Sequence, residues 1–310
     1  MSPPDRRLSV PSVPRIGLSS HPPRPTVGND VVDLTAPRAA GRAADDRFLE
    51  RVFTSPERAV IRAAADPDLE LWHAWAAKEA AYKVVSKLLP APPLFAHRAF
   101  EVTWWEKGTA GAEGPTPEAE TTGAAGADAP SWRVGAPARA GVVEHGDHAV
   151  DVWAEVVRDG GALHVVALDR GARPAGGRLL RTVDRLERAG APWAAPLDEL
   201  RGRMTDRERE AVHSHASAAV RIGARSAIAA LLDVDPARVE IVCRPGAIGR
   251  RPPLALVDSV PAAVDLSLSH DGPWIAWSLA PHAGPDDARG PSVTSPSTSD
   301  PSSTSDPKAP

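Results

Sequence analysis

One stretch of the sequence places a carboxylate among lysines at helical spacing. Lys78, Glu79 and Lys83 lie within WAAKEAAYK, and Glu79 and Lys83 share one helix face because they are four residues apart. As a surface ion pair they would contribute only about 0.3–0.5 kcal/mol. Beside a metal-bound phosphate they would supply a ligand and positive charge, and the neighbouring alanines would let that ligand approach closely. The spacing alone leaves both interpretations open.

Two further sites place polar groups in or at the end of apolar strands. Asp30 lies in GNDVVDL, where a carboxylate is costly unless it is paired or bound to a cation, although a strand-end aspartate is the alternative. Ser269 and His270 end the run VDLSLSH and bring a hydroxyl and an imidazole to a sheet edge. Adjacent strand residues point to opposite faces, so this pair is not a hydrolase dyad. A structural strand-end histidine is the other interpretation.

The first half of the chain predicts helices between a short strand and a group of strands. A helix begins at Thr54-Ser55-Pro56-Glu57, where a capping residue precedes proline and an acid. A longer helix over 69–89 ends before Pro90 and carries an apolar face at helical spacing. Further strands are expected over residues 99–105, 132–134 with 142–143, 150–157 and 163–168.

The second half repeats this order of helix and then strands. Thr205 and Glu208 form a capping box that opens a helix predicted to continue to about residue 232. A strand over 239–243 follows, and 264–269 and 274–279 form a hairpin around Asp271-Gly272. No residue-level repeat is evident, but the shared order suggests a pseudo-symmetric pair of α+β halves.

Composition sets the boundaries and excludes several classes of protein. The 310 residues include one cysteine, which excludes a disulfide framework and a cysteine-rich zinc site. A net charge of −4 argues against nucleic-acid binding, and no apolar run approaches a membrane span. The first residues lack the apolar core of a secretory signal, so we expect a cytoplasmic protein. Seven prolines in 1–27 and six in 283–310 indicate disordered tails, and 107–130 reads as a mobile insertion.

Taken together, GNDVVDL, FLERVFTSPER, WHAWAAKEAAYK and VDLSLSHDG resemble the 4′-phosphopantetheinyl transferase superfamily. Its G-x-D and W-x-x-K-E-x-x-x-K motifs fall on residues Gly28, Asp30, Trp75, Lys78, Glu79 and Lys83, and its S-H motif falls on Ser269-His270. The resemblance implies an α+β fold of two pseudo-twofold-related halves, each with a long helix packed on a small antiparallel sheet. It also implies transfer of the phosphopantetheine arm of coenzyme A to a serine of an apo acyl or peptidyl carrier protein, with release of 3′,5′-ADP.

The resemblance implies a role for each residue of the first half. Asp30 and Glu79 would bind Mg²⁺, for which hard oxygen ligands are suited. Glu79, directly or through a metal-bound water, is the expected base for the carrier serine. Lys83 would neutralise the pyrophosphate, and Lys78 would position it or help the leaving group. Larger family members carry a third acid where this chain has Val32, so we expect water there.

The second half is expected to hold coenzyme A. Ser269, His270 and Arg251 would bind the 3′-phosphate end, with Arg251 replacing the lysine that the family commonly has before proline. Arg225 is a further candidate for phosphate contact, with a surface arginine as the alternative.

The order of the motifs suggests how the site is assembled. The K-E half comes first, as in the small trimeric holo-acyl-carrier-protein synthases, yet this chain also carries the S-H half. We therefore expect a Mg²⁺-binding half over 28–170, a coenzyme A-binding half over 171–282, and an active monomer. Two alternatives stay open: a binding module that has lost its chemistry, and an enzyme that hydrolyses coenzyme A.

Overall fold

A computed structural model describes residues 24–105, 139–157, 160–172, 174–175, 178–246 and 249–282. The predicted insertion 107–130, the strand 132–134, the C-terminal tail 283–310 and all but residues 24–27 of the N-terminal tail lie outside this part. The described chain mixes α-helices with three sheets whose neighbouring strands are all antiparallel. The expected α+β class is confirmed, and a two-half arrangement is partly visible.

The elements of the first half are the strands β1 (Val27–Asp33), β2 (Glu101–Trp104), β3 (Arg139–His145), β4 (His148–Val156) and β5 (Ala162–Asp169), with helices α1 (Asp46–Val52), α2 (Ser55–Ala63) and α3 (Pro67–Leu88). Those of the second half are β6 (Leu180–Arg185), α4 (Leu197–Gly202), α5 (Asp206–Arg209), α6 (His215–Leu232), β7 (Val239–Val242), β8 (Leu254–Val257), β9 (Val260–Pro261), β10 (Val264–Asp271) and β11 (Trp274–Pro281).

The long helix α3 lies across the first sheet, whose strand order is β1-β5-β4-β3-β2. Asp66 caps its start by accepting a hydrogen bond from the Leu69 N–H at 3.0 Å, with Pro67 at the first position. Four of its alanines are completely buried and allow close packing: Ala76, Ala77, Ala80 and Ala81. At Gly28 in β1, a Cβ atom would lie 2.0 Å from the Ala80 carbonyl oxygen. Only glycine permits this approach of strand and helix.

In the second half, α6 packs against the sheet β10-β11-β6 and against β7 of the small sheet β7-β8-β9. The predicted hairpin is confirmed, with Asp271 paired to Trp274 across a tight turn where Gly272 has a φ of 53°. Among the helices described, none combines the length and apolar composition that a bilayer span requires.

The single helix predicted from Thr205 to about residue 232 is wrong. The Thr205–Glu208 capping box does open a helix, but α5 is only four residues long. Ser214 then caps α6 separately by accepting a hydrogen bond from the Ser217 N–H at 3.1 Å. The apolar periodicity runs on through two helices, so the pattern did not reveal the break between them. The elements α1, α4, β6, β8 and β9 were not predicted.

The halves meet along the edge of β1 that faces away from β5. There, backbone N–H groups of β1 donate to side chains of β10 at a constant sequence separation of 238 residues. The four pairs are Val27 with Asp265 (2.7 Å), Asn29 with Ser267 (2.9 Å), Val31 with Ser269 (3.2 Å) and Asp33 with Asp271 (2.8 Å). We call this the side-chain ladder.

Two lysines of α3, one helical turn apart, reinforce the same junction. Lys87 Nζ donates to the Val27 and Leu266 carbonyls at 2.7 and 2.6 Å and to Asp265 Oδ2 at 2.8 Å. Lys83 bridges the same two strands one turn earlier. The junction is thus held by polar side chains, which fixes the position of β10 relative to β1.

Candidate active site

The close packing of α3 on β1 brings together the charged groups of the first half. Asp30 lies two residues after Gly28 and so shares its helix-facing side of the strand. Lys83 Nζ donates to Asp30 Oδ1 at 3.2 Å, to the Asn29 carbonyl at 2.6 Å and to the Leu268 carbonyl of β10 at 3.4 Å. Lys83 is therefore held between both halves, with about a quarter of its side chain exposed.

Asp30 also receives a hydrogen bond from the second half. Ser269 Oγ donates to Asp30 Oδ1 at 2.9 Å, while the same hydroxyl accepts the Val31 N–H. Burial raises the pKa of Asp30 above its ordinary value; the Lys83 charge opposes this shift, Glu79 adds to it, and the Ser269 hydrogen bond opposes it. The carboxylate thus lies in an environment where a bound cation would be favourable.

A pocket of about 420 Å³ opens where the two halves meet. Its polar lining comes from both halves: Asp30, Glu79, Arg38 and Arg42 from the first, and His270 and Asp271 from the second. An aromatic wall of Phe48, Trp72 and Trp75 forms one side. Three of the predicted site residues, Asp30, Glu79 and His270, therefore line one pocket.

The acidic pair fits a divalent cation by its donor chemistry. Lys83 and Ser269 both donate their hydrogen bonds to Oδ1 of Asp30. The other oxygen, Oδ2, accepts no hydrogen bond from any residue that the structure describes. Glu79 supplies a second carboxylate near enough to raise the pKa of Asp30. Within the described ranges no group of three or more His, Cys, Asp or Glu residues forms a metal cluster. A cation here would take two protein carboxylates and complete its shell with water or phosphate oxygens, as Mg²⁺ commonly does.

His270 presents its imidazole to the same pocket from an exposed position at the end of β10. Partial desolvation lowers the pKa of His270, and the Lys83 and Arg221 charges lower it further. Two cationic side chains near the imidazole make this part of the pocket electrostatically favourable for an anion. A bound phosphate would favour the protonated imidazole and gain a charge-assisted hydrogen bond.

One sequence comparison concerns the half of the chain that carries the acidic pair. Residues 26–129 match the family model of the 4′-phosphopantetheinyl transferase superfamily. This segment is a domain of that superfamily. The match contains Asp30, Glu79 and Lys83, whereas the second half, with His270, lies beyond it. Among curated proteins, no match to the chain is found.

Lys78 belongs to the superfamily motif, but the structure does not bring it to the pocket. Its side chain is fully buried, and its ammonium contacts both oxygens of Glu57, at 2.7 and 2.9 Å, as well as the carbonyls of His97 and Phe100. Burial lowers the pKa of Lys78, and Glu57 opposes that shift. The predicted contact with pyrophosphate is therefore corrected: the ammonium has four protein acceptors and no exposure.

Arg225, predicted to contact phosphate, is also buried within its own half. It donates to the Arg203 carbonyl at 2.8 Å, to Glu208 Oε2 at 3.3 Å and to the Pro236 carbonyl at 3.1 Å. These contacts lie outside the pocket lining. The structure contradicts both interpretations of Arg225, as a phosphate contact and as a surface arginine, because α6 directs its guanidinium into the interior.

Lys78 and Arg225 occupy equivalent positions in a repeated arrangement. In the first half, Glu57 completes the capping box of α2 and accepts the Val102 N–H of β2 at 2.8 Å. In the second, Glu208 completes the capping box of α5 and accepts the Ile241 N–H of β7 at 2.9 Å. Each glutamate then binds the cation of the following long helix. The two halves of the chain thus share a residue-level repeat that was not evident in the sequence.

The repeat also explains why the acidic pair occurs in one half. The residue after Lys78 is Glu79, which faces the pocket, whereas the residue after Arg225 is Ser226. Ser226 donates to the Ile222 carbonyl at 3.1 Å within its own helix. The second half therefore has no carboxylate at the position that Glu79 occupies in the first.

Two remaining predictions from the superfamily motifs fall at the junction but outside the pocket lining. Arg251 donates to the carbonyls of Pro90 and Leu89, at 2.6 and 3.4 Å, just beyond the C-terminal end of α3. Glu79 and Leu89 are about 15 Å apart along the helix axis, from a rise of 1.5 Å per residue. Ser269 is buried, and its hydroxyl is bonded to Val31 and Asp30 rather than facing the pocket.

Sequence reasoning missed several residues that line the pocket or lie next to Glu79. Arg38 binds both carboxylate oxygens of Asp271 across the junction, and the Arg42 guanidinium stacks over Phe48 at 4.2 Å. His97 lies with Nε2 3.6 Å from Glu79 Oε1 and stacks against Trp75 at 4.5 Å. Arg38 and Arg42 could have been proposed from the sequence, because they closely follow the GNDVVDL strand that carries Asp30. Nothing in the sequence around His97 indicated its position.

Proposed function

We propose that the protein transfers the 4′-phosphopantetheine arm of coenzyme A to a serine of an apo acyl or peptidyl carrier protein, releasing 3′,5′-ADP. The observation that carries this proposal is the convergence of Asp30 and Glu79 from one half and His270 from the other on a single pocket. Membership of the superfamily gives the reaction class, and the pocket supplies groups that suit it.

The acidic pair is proposed to hold one Mg²⁺, with Asp30 offering Oδ2 and Glu79 its carboxylate. When bound, Mg²⁺ supplies positive charge to the phosphate oxygens. Lys83 adds a fixed charge beside Asp30, at a distance of 3.2 Å. We propose that Lys83 both holds Asp30 and offsets charge on the pyrophosphate.

Glu79 is the proposed base for the carrier serine. Its carboxylate lines the pocket and is close to His97, which gives a removed proton a neighbouring acceptor. The proton passes from the serine hydroxyl to the carboxylate while the serine oxygen attacks the β-phosphate of coenzyme A. The bond between the β-phosphorus and the bridging oxygen of the pyrophosphate breaks, 3′,5′-ADP leaves with that oxygen, and phosphopantetheine remains attached to the carrier serine.

His270, which lines the pocket, is proposed to bind the 3′-phosphate end. Arg251, which is partly exposed beyond the end of α3 and outside the pocket lining, is proposed as a second contact for that phosphate. Lys78, Arg225 and Ser269 are left out of direct substrate contact because, unlike Lys83 and Arg251, they are buried, and their polar groups are bonded within the protein. Lys78 acts instead on the position of α3, through Glu57. With both halves on one chain, we propose that a monomer is active, in the cytoplasm.

The test is mass spectrometry of an apo carrier protein incubated with coenzyme A, Mg²⁺ and the full chain. A gain of the phosphopantetheine mass supports the proposal, and Glu79→Gln should abolish that gain. Glu199→Gln is the matched control, because this exposed glutamate on α4 pairs with Arg203 and with no other residue in the part of the chain that the structure describes. Free phosphopantetheine with an unmodified carrier would mean a hydrolase, and binding of coenzyme A without either product would mean a binding module.

A further inference from the structure

The hydroxyl of Ser269 contacts both the backbone and a side chain of β1. It accepts the Val31 N–H at 3.2 Å and donates to Asp30 Oδ1 at 2.9 Å. The first contact holds the backbone of β1, and the second holds a side chain of the same strand. One hydroxyl of the second half therefore fixes both the strand and the carboxylate that projects from it.

We propose that Ser269 is a positioning residue that orients the Asp30 carboxylate for cation binding, rather than a ligand of coenzyme A. Where it concerns a cation, the inference rests on the function proposed above. It makes the cation site dependent on the second half, although both candidate ligands belong to the first.

The geometry at Asp30 explains how the hydroxyl would act. Ser269 and Lys83 both donate to Oδ1, one from each half, so this oxygen is fixed from two directions. The other oxygen, Oδ2, has no donor among the described residues and remains for a cation. Without Ser269, the longer Lys83 contact of 3.2 Å would be the one hydrogen bond from the described residues that still orients the carboxylate. The Oδ2 atom would then spend part of its time turned away from the pocket.

Ser267 provides a matched control within the same strand. Its Oγ accepts the Asn29 N–H at 2.9 Å, as Ser269 accepts that of Val31, but it makes no contact with Asp30. Both serines are buried, and both belong to the ladder. Removing either hydroxyl deletes one ladder hydrogen bond, and only the removal at 269 also releases the carboxylate.

The first experiment is a double-mutant cycle on the unfolding equilibrium of the full chain, without metal. Ser269→Ala and Asp30→Ala should be coupled, changing the unfolding constant by about tenfold relative to additivity, the range for a hydrogen bond to a charged group. Ser267→Ala with Asp30→Ala should be additive within about twofold. Equal coupling in both pairs, or none in either, would overturn the hydrogen bond as a specific contact.

The second experiment measures Mn²⁺ binding by electron paramagnetic resonance, with and without coenzyme A. Ser269→Ala should weaken Mn²⁺ binding by roughly tenfold, and Ser267→Ala should leave it within about twofold of the wild type. Ser269→Thr keeps the hydroxyl and should restore binding. If Ser269→Ala fails to fold, Ser269→Cys gives the same comparison, because the thiol fills similar space and donates weakly.

The outcomes separate this inference from the proposed function. Coupling in the cycle without any Mn²⁺ binding by the wild type contradicts the cation site and overturns the positioning role, while leaving the hydrogen bond in place. Equal weakening by both serine variants would mean that the ladder acts only on the fold. Unchanged Mn²⁺ binding in Ser269→Ala, with loss of discrimination against 3′-dephospho-coenzyme A, would assign Ser269 to the coenzyme instead.

Discussion

Replacing Lys78 tests whether the first lysine of the W-x-x-K-E-x-x-x-K motif has a structural or a catalytic role. Lys78→Met removes the ammonium from a site with no solvent exposure and leaves Glu57, itself almost fully buried, without its counter-charge. Removing one partner of a buried ion pair typically lowers the free energy of unfolding by about 3–5 kcal/mol, and we expect a loss in that range for Lys78→Met. We therefore expect a large loss of stability.

The contacts of Glu57 refine this magnitude. In the variant, the Glu57 carboxylate would still accept hydrogen bonds from the Thr54 and Val102 N–H groups, which are 2.7 and 2.8 Å away. Against this, the carbonyls of His97 and Phe100 each lose a hydrogen bond, at about 1 kcal/mol apiece. The expected decrease in the free energy of unfolding is thus about 3–5 kcal/mol, equivalent to roughly 10 °C in Tm for a chain of this size.

The assay combines denaturant unfolding with the rate of carrier modification at a temperature where each variant is folded. Lys78→Met should be strongly destabilised but should retain most of its rate per folded molecule. The double variant Lys78→Met/Glu57→Gln should be less destabilised than Lys78→Met, because no buried charge remains. A Lys78→Met protein of wild-type stability that has lost its transfer rate would refute this reasoning and return Lys78 to the pocket.

Three further outcomes are expected. Asp30→Ala and Glu79→Ala should each abolish carrier modification while circular dichroism shows an intact fold. The double variant should have no larger effect, because the loss of either carboxylate already disables the pair. Turnover near the wild-type rate at low Mg²⁺ in either single variant would contradict this. His270→Ala should raise the KM for coenzyme A about tenfold and reduce discrimination against 3′-dephospho-coenzyme A, and equal losses on both substrates would leave it a structural residue. Deleting residues 1–20 and 286–310 should leave the transfer rate and a monomeric mass by light scattering nearly unchanged, whereas an obligate trimer that loses its rate on dilution would contradict the single-chain site.

The sequence was most informative where a motif and a local structural rule agreed. The G-x-D spacing places Asp30 on the face of β1 where Gly28 admits α3, so the meeting of Asp30 and Glu79 follows from alternation and close packing. The hairpin that carries His270 followed from its turn residues. These features depend on a few neighbouring residues, and they were predictable.

The roles of Lys78 and Arg225 depended on information that the motif does not contain. Lys78 and Glu79 are adjacent, yet one is buried against α2 and β2 and the other lines the pocket. The rotation of α3 decides between them, and long-range packing against the sheet sets that rotation. The partners Glu57 and Glu208 looked like ordinary helix caps, because their second contacts reach strands far along the chain.

The side-chain ladder has a consequence for the dynamics of the strand it holds. In β1, the N–H groups of Val27, Asn29, Val31 and Asp33 are protected by the other half, whereas antiparallel pairing directs those of the alternating residues toward β5. Amide hydrogen exchange along this one strand should therefore report two separate openings. The odd-numbered amides would exchange when the halves part, and the even-numbered ones only when the first sheet unfolds. A comparison of exchange rates at neighbouring amides of β1 would thus measure how often the two halves separate and open the pocket.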